Sequence, residues 1–211
     1  MLKASSHKGR DPYAPELLRF RKGETIYAEG DPAPSWFMVE TGVARTCRFH
    51  ANGHRQLTGF QYPGDVLGYE QEIHQDSAEA VTDVTMRRHR MALPATPAAS
   101  DQIADQPIAS TALRNALDNA NRCIFLFGRR TAPERLAAFI LMTAERLDGY
   151  DDIELPMCRT DIADYLGLTI HTVSRTLTQM SRERLITIDG AHRCRIIDMP
   201  RLRSLAGGHE D

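Results

Sequence analysis

The residues whose chemistry is most legible lie close together, between Cys158 and Met180. This segment divides into two short helices about Gly167. The first is expected from about Arg159 to Leu166, with Ile162, Ala163 and Leu166 on its apolar side. Gly167 takes the turn, where a side chain would clash or need positive φ. The Thr169 hydroxyl is placed to cap the second helix. Val173, Leu177 and Met180 recur at helical spacing and face inward. Ile170, His171, Ser174, Arg175 and Gln179 form the opposite, polar face. Two short helices of this form make a helix-turn-helix, whose second helix enters a DNA major groove. Arg175 carries a guanidinium fork that fits O6 and N7 of guanine, worth about 1–3 kcal/mol of discrimination.

The residues that follow extend the motif. Leu185 to Ile188 and Cys194 to Ile197 are β-branched runs around an Asp189-Gly190 turn. They read as a small hairpin, the wing of a winged helix-turn-helix. Arg182 and Arg184, with Arg193 or Arg195 in the wing, are candidate phosphate contacts, as are Thr169 and Thr172. Cys158 and Arg159 stand at the start of the first helix. Between Arg159 and Arg184 four arginines face Asp161, Asp164 and Glu183, a net charge of +1. The expected patch is therefore modest, and specificity rests on a few base contacts.

These helices need a scaffold, and the rest of the chain supplies two candidates. From Leu17 to about Leu93, short strand-like runs are Thr25–Ala28, Trp36–Val39, Val43–Cys47 and Gln56–Phe60. Turn residues separate them at Lys22-Gly23, Gly30-Asp31-Pro32, Thr41-Gly42, Asn52-Gly53 and Pro63-Gly64-Asp65. Asn52-Gly53 is the strongest hairpin signal. The even spacing predicts a β-barrel or jelly roll. Pro94 to Pro107 reads as a loop or a loose helix entry. Leu113, Leu117, Ala120, Ile124 and Phe127 then form a narrow heptad-type seam. Such a seam suits one partner helix, here its copy in a second chain. Packing on the chain's own barrel is the plainer reading. Thr131-Ala132-Pro133-Glu134 starts another helix, with Thr131 capping and Glu134 reaching back. Its apolar face is Leu136, Phe139, Ile140, Met142, Thr143 and Leu147, and Gly149 ends it.

The expected organisation is a flexible lead at 1–16, a sensor-like barrel at 17–108, a dimerisation helix at 109–130 and a winged helix-turn-helix at 131–211. The 211 residues are 42% hydrophobic and 26% charged, with a formal charge of −2. That balance excludes wholesale disorder, and any anionic partner must meet a local patch. No apolar run approaches the ~18 residues of a membrane span, and Met1 to Pro15 has no signal-peptide core. The cytoplasm is the expected compartment. Cys47, Cys123, Cys158 and Cys194 stand far apart, which argues against a zinc site or a disulfide framework.

The order barrel, seam helix, winged helix-turn-helix resembles the CRP/FNR transcription regulators. The likeness runs from about Leu17 to Leu205. It is carried by Ile26 to Asp31, Phe60-x-x-Pro63-Gly64-Asp65-x-x-Gly68, Glu134-Arg135-Leu136-Ala137-x-Phe139, and Asp161 to Thr169. The last block is most similar to the FixK-type regulators, which lack the N-terminal cysteine cluster of FNR. The resemblance implies an α+β protein: a cyclic-nucleotide-binding-like jelly roll, a long dimerisation helix and a winged helix-turn-helix. It implies a homodimer on palindromic double-stranded DNA of the TTGA…TCAA type, recruiting RNA polymerase, most simply as an activator and not as an enzyme. Arg175 matches the family's guanine-reading arginine and Ser174 its assisting serine, with Ile170 beside them in the base-reading set. His171 departs from the family's usual Glu, which accepts from cytosine N4. An imidazole can donate as well as accept, so altered preference at that base pair is expected.

The resemblance also frames what controls the protein. The family's cyclic-nucleotide site uses a Gly-Glu pair and an Arg-Ser/Thr pair around the phosphate. Here Tyr69 follows Gly68, and Asp76 precedes Ser77 where the arginine would stand. A carboxylate there repels phosphate. Scattered cysteines do not supply an iron–sulfur site, so no cofactor is expected. A haem- or small-molecule-gated regulator is the alternative. In the family the equivalent capping position lies against the DNA backbone, so the resemblance implies phosphate contacts for Cys158 and Arg159. Cys158, at a helix N-terminus beside Arg159, is then the redox candidate, because its oxidation would add bulk and charge next to phosphates. Cys47 and Cys123 read as packing residues. A cupin-like metal protein would need convergent ligands, and His50, His54, His74, Glu70 and Glu72 are the available set. His50 and His54 flank the hairpin tip and are expected to point outward.

Overall fold

Turn chemistry cuts the N-terminal half into short strands, and their alternating burial folds them into two facing sheets. The computed structural model describes residues 15–51, 53–70, 72–91, 110, 114, 117–118, 120–121, 123–124, 126, 128–129, 131–147, 149, 153–190 and 192–207. The expected lead at 1–14, the Pro94–Pro107 stretch, Asn52, and Leu113 and Phe127 of the seam lie outside these residues. The strands are β1 (Glu16–Phe20), β2 (Thr25–Tyr27), β3 (Ser35–Thr41), β4 (Ala44–Phe49), β5 (Arg55–Gln61), β6 (Val66–Leu67), β7 (Ser77–Ala80) and β8 (Val84–Arg90). One sheet has the order β1-β8-β3-β6 and the other β2-β7-β4-β5. The expected runs fall in β2 to β5. Glu16 already belongs to β1 and not to the lead.

Tyr27, Phe37, Val39, Ala44, Leu67, Ala78, Ala80, Val84 and Met86 fill the barrel interior. The second core crosses from barrel to C-terminal half. Cys47, Leu57, Phe60 and Tyr62 on the barrel side share it with Leu136, Phe139, Ile140, Ile162, Leu166, Val173 and Met180. The two halves are thus joined by buried apolar surface, which water exclusion favours.

Between them, the described residues from 110 to 126 are helical. Next comes α1 (Ala132–Arg146), whose capping box is complete. Glu134 N–H donates to Thr131 Oγ1, and the Glu134 carboxylate accepts from Thr131 N–H. The helix ends three residues before Gly149, with Leu147 as its cap. Then follow β9 (Ile153–Glu154), α2 (Arg159–Leu166), α3 (Ile170–Arg182), β10 (Ile186–Asp189), β11 (Arg193–Ile196) and α4 (Met199–Leu205). The wing is a three-stranded sheet, β10-β11-β9, not the bare hairpin the sequence suggested. β9 is two residues long, and α4 begins at a proline behind an Asp198 cap. Both are too short for a periodicity signal.

Candidate nucleic-acid interface

Gly167 has φ +64 and caps α2 in the left-handed region. An added Cβ would meet nothing closer than Arg135 Nη1 at 4.0 Å, so the backbone angle and not a clash selects glycine here. Thr169 Oγ1 accepts from Thr172 N–H at 3.1 Å, and the two hydroxyls lie 2.9 Å apart. Val173, Thr176, Leu177 and Met180 are buried. Ile162, Ala163 and Leu166 of α2 are buried against them, as expected. The Leu166 carbonyl at the end of α2 accepts from Arg135 Nη1 at 3.1 Å. The two helices are therefore fixed to each other and to α1.

The outer face of α3 places Ile170, His171, Arg175 and Gln179 in solvent, with Ser174 half-buried between them. Arg159, from α2, reaches to 3.4 Å from Ser174 Oγ. Arg182 and Arg184 are exposed at the C-terminal end. Arg184 has φ +58, with its N–H on Ser181 O and the Leu185 N–H on Met180 O. This is a Schellman closure with arginine where glycine is usual. In the wing, Arg193 stands in register between Asp189 and Glu154, whereas Arg195 stands opposite Thr187. Cys158 is exposed at the N-cap of α2, and its side chain makes no capping hydrogen bond.

Asp161 and Asp164, which the sequence sets against the basic patch, are both engaged by arginines of the barrel. Arg45 Nη1 donates to Asp161 Oδ2 at 2.6 Å, and Arg55 Nη2 donates to Asp161 Oδ1 at 2.7 Å. Arg55 also binds Asp164 Oδ2 through Nη2 at 2.8 Å and Nε at 3.0 Å. Arg45 completes its fork on Glu79, at 2.6 and 3.0 Å. Asp161 is only 3% exposed. A buried carboxylate is tolerated when both oxygens are paired, as here. Between residues 159 and 184 this leaves four arginines against Glu183 among the charges not paired with the barrel. Spacing shows Asp161 and Asp164 on one helical face, but the partners lie over a hundred positions away.

The C-terminal half matches the model of the Crp-like helix-turn-helix domain over residues 134–205, and residues 17–90 match the cyclic nucleotide-binding domain. The nitrogen fixation regulation protein FixK of Rhizobium meliloti is 36% identical over 205 residues, covering 94% of this chain and 92% of that protein. FixK of Bradyrhizobium diazoefficiens is 39% identical over 197 residues, covering 89% and 78%. The structure of FixK2 from Bradyrhizobium japonicum superposes with a TM-score of 0.78 at 33% identity, covering 93% of this chain and 98% of that one. The chain belongs to the CRP/FNR family, as a FixK-like transcription regulator. A CRP-family regulator from Thermus thermophilus, 21% identical with a TM-score of 0.73 over 92% and 98% of the two chains, shares the fold.

The barrel of this CRP/FNR member departs from the family's cyclic-nucleotide site at Tyr69 and Asp76. The space beside Gly68 is filled by the chain itself: an added Cβ would meet His74 at 3.0 Å, Tyr27 at 3.2 Å and Phe37 at 3.3 Å. Tyr27 and His74 stack with ring centroids 3.7 Å apart, and His74 Nδ1 lies 3.0 Å from Glu70 Oε2. Asp76 accepts from Thr58 Oγ1 at 2.9 Å. Burial raises the Asp76 carboxyl above its usual range, and Glu70 adds to the rise. Asp76 and Glu70 thus set carboxylates beside one another, with Arg48 near enough to Asp76 to oppose the rise. The cupin-type ligand set does not assemble either. His50 and His54 are exposed at the β4–β5 tip, and among the described residues no three His, Cys, Asp or Glu side chains converge. Also among the described residues, no helix is long and apolar enough to cross a membrane.

Proposed function

We propose that this FixK-like regulator works in the cytoplasm as a homodimer on a two-fold symmetric site of the TTGA…TCAA type. Arg175 reads guanine in each half-site, assisted by Ser174. Ile170, 42% exposed at the start of α3, supplies an apolar contact suited to a thymine methyl. His171 faces the base pair that the family's glutamate would read. Thr169, Thr172, Arg159, Arg182, Arg184 and Arg193 meet phosphates. The bound dimer recruits RNA polymerase and activates transcription. The observation that carries this reading is the solvent-facing Arg175 on a helix whose opposite side is fully buried.

The experiment is binding of wild type and Arg175→Ala to a panel of symmetric duplexes, each base pair varied in turn. Loss of about 1–3 kcal/mol of discrimination at one guanine per half-site is expected. Unchanged selectivity would reject the assignment. His171→Glu should sharpen preference at its own base pair.

Oxidation of the exposed Cys158 thiol adds bulk and charge beside the DNA backbone and releases the site. Peroxide should weaken wild-type binding and leave Cys158→Ala unaffected. Equal loss in both would remove redox control from the account.

A further inference from the structure

We propose that Arg45 and Arg55 of the barrel are positioning residues for DNA recognition: they grip α2 by Asp161 and Asp164 and thereby set the angle at which α3 meets DNA. The inference rests on the reading of the chain as a dimer on a symmetric site. In such a dimer the two recognition helices must enter successive major grooves about 34–36 Å apart. A small rotation of the C-terminal half against the barrel spoils that spacing.

The apolar part of the junction, with Phe60 edge-on to Tyr165 at 5.1 Å, is not directional and tolerates sliding. The ionic part is directional. Arg45 spans Glu79 on its own sheet and Asp161 on α2, and Arg55 spans Asp161 and Asp164. Asp161 has one guanidinium on each oxygen, so it is satisfied in one orientation. Displacing α2 would strand a buried carboxylate and two arginines together, the situation in which ionic groups set registry. Because α2 and α3 are locked through Gly167, the Thr169 cap and their shared core, whatever orients α2 also orients α3.

The test is a double-mutant cycle on the full-length protein, with affinity measured on a symmetric duplex and on a non-specific duplex of equal length. Asp164 is one-fifth exposed, so Asp164→Asn is the gentler substitution. Charge alone predicts that this change tightens DNA binding, since it removes a negative charge from the DNA-binding half. Positioning predicts the opposite sign: specific affinity falls roughly 5- to 150-fold, while non-specific affinity and dimer mass stay as in wild type. Arg55→Gln should lose as much, Arg55→Lys less, and Arg55→Gln with Asp164→Asn no more than either alone. Tighter or unchanged specific binding by Asp164→Asn would overturn the proposal. So would cancellation of the two effects in the double variant. Failure of wild type to prefer the symmetric duplex would instead reject the DNA reading itself, and this inference with it.

Discussion

The thiol of Cys123 lies 2.9 Å from the phenol oxygen of Tyr165, across 42 positions of sequence. It ties the helical segment at 110–126 to the first helix of the helix-turn-helix. The Tyr165 ring sits between Phe60 and Phe139, with centroids at 5.1 and 5.9 Å. Burial pushes the phenol well above its ordinary range, and the neighbouring Cys123 adds to the shift. The hydroxyl is therefore protonated at neutral pH and available as a donor.

Tyr165→Phe keeps the rings and removes this hydrogen bond. A loss of about 0.5–1.5 kcal/mol is expected. Tyr165→Ala empties the aromatic site and should cost about 3–5 kcal/mol. Urea denaturation followed by circular dichroism measures both, and equal losses would show that the ring contacts are unimportant.

Leu117 is 62% exposed and Ile124 69% exposed in the single chain. An apolar stripe left in water on one helix fits the proposed pairing with a second copy. Leu117→Glu combined with Ile124→Glu should leave each chain folded and yield monomers in sedimentation velocity. DNA affinity should fall with the dimer. A variant that sediments as wild type would place the dimer interface elsewhere.

Arg184 occupies a left-handed position that costs an L-residue about 1–2 kcal/mol. Glycine removes that cost but adds about 0.4–1 kcal/mol of unfolded-state entropy. Arg184→Gly should therefore leave stability unchanged or raise it slightly. If Arg184 meets a phosphate in each half-site, the slope of log affinity against log salt falls by about 0.9 per contact. A changed midpoint with an unchanged slope would assign Arg184 to folding alone.

The four thiols should react in order of exposure. Cys158 is exposed, whereas Cys47 and Cys194 are buried. Burial raises the Cys47 thiol and pushes Cys194 up to about 12. The thiolate is the reactive form, so both buried thiols should stay unlabelled at pH 8 until the chain unfolds. Peptide mass spectrometry after a short alkylation should find Cys158 modified first, and Cys158→Ser should remove the fast phase. Early labelling of Cys194 would contradict its burial.

The recognition unit was legible in the sequence because its signals are local. The Gly167 turn, the Thr169 cap and the apolar positions of α2 and α3 all fall within one helical turn or two of each other. The turn residues of the barrel are equally local. β9 and α4 were not legible, since two-residue strands and seven-residue helices carry too little pattern. The paired role of Asp161 and Asp164 was missed because a carboxylate on a helix face looks the same whether it meets water or a buried guanidinium.

Residue order alone thus determined the element types, the turn between the two DNA-binding helices and the outward set around Arg175, all products of backbone preference and side-chain periodicity. Tertiary structure decided which charges remain facing solvent, how Tyr27 and His74 close the barrel beside Gly68, and how the C-terminal half is seated on β4 and β5. Those outcomes depend on contacts between residues up to 116 positions apart. Such contacts leave no mark in local spacing, because only packing brings their atoms within hydrogen-bond range.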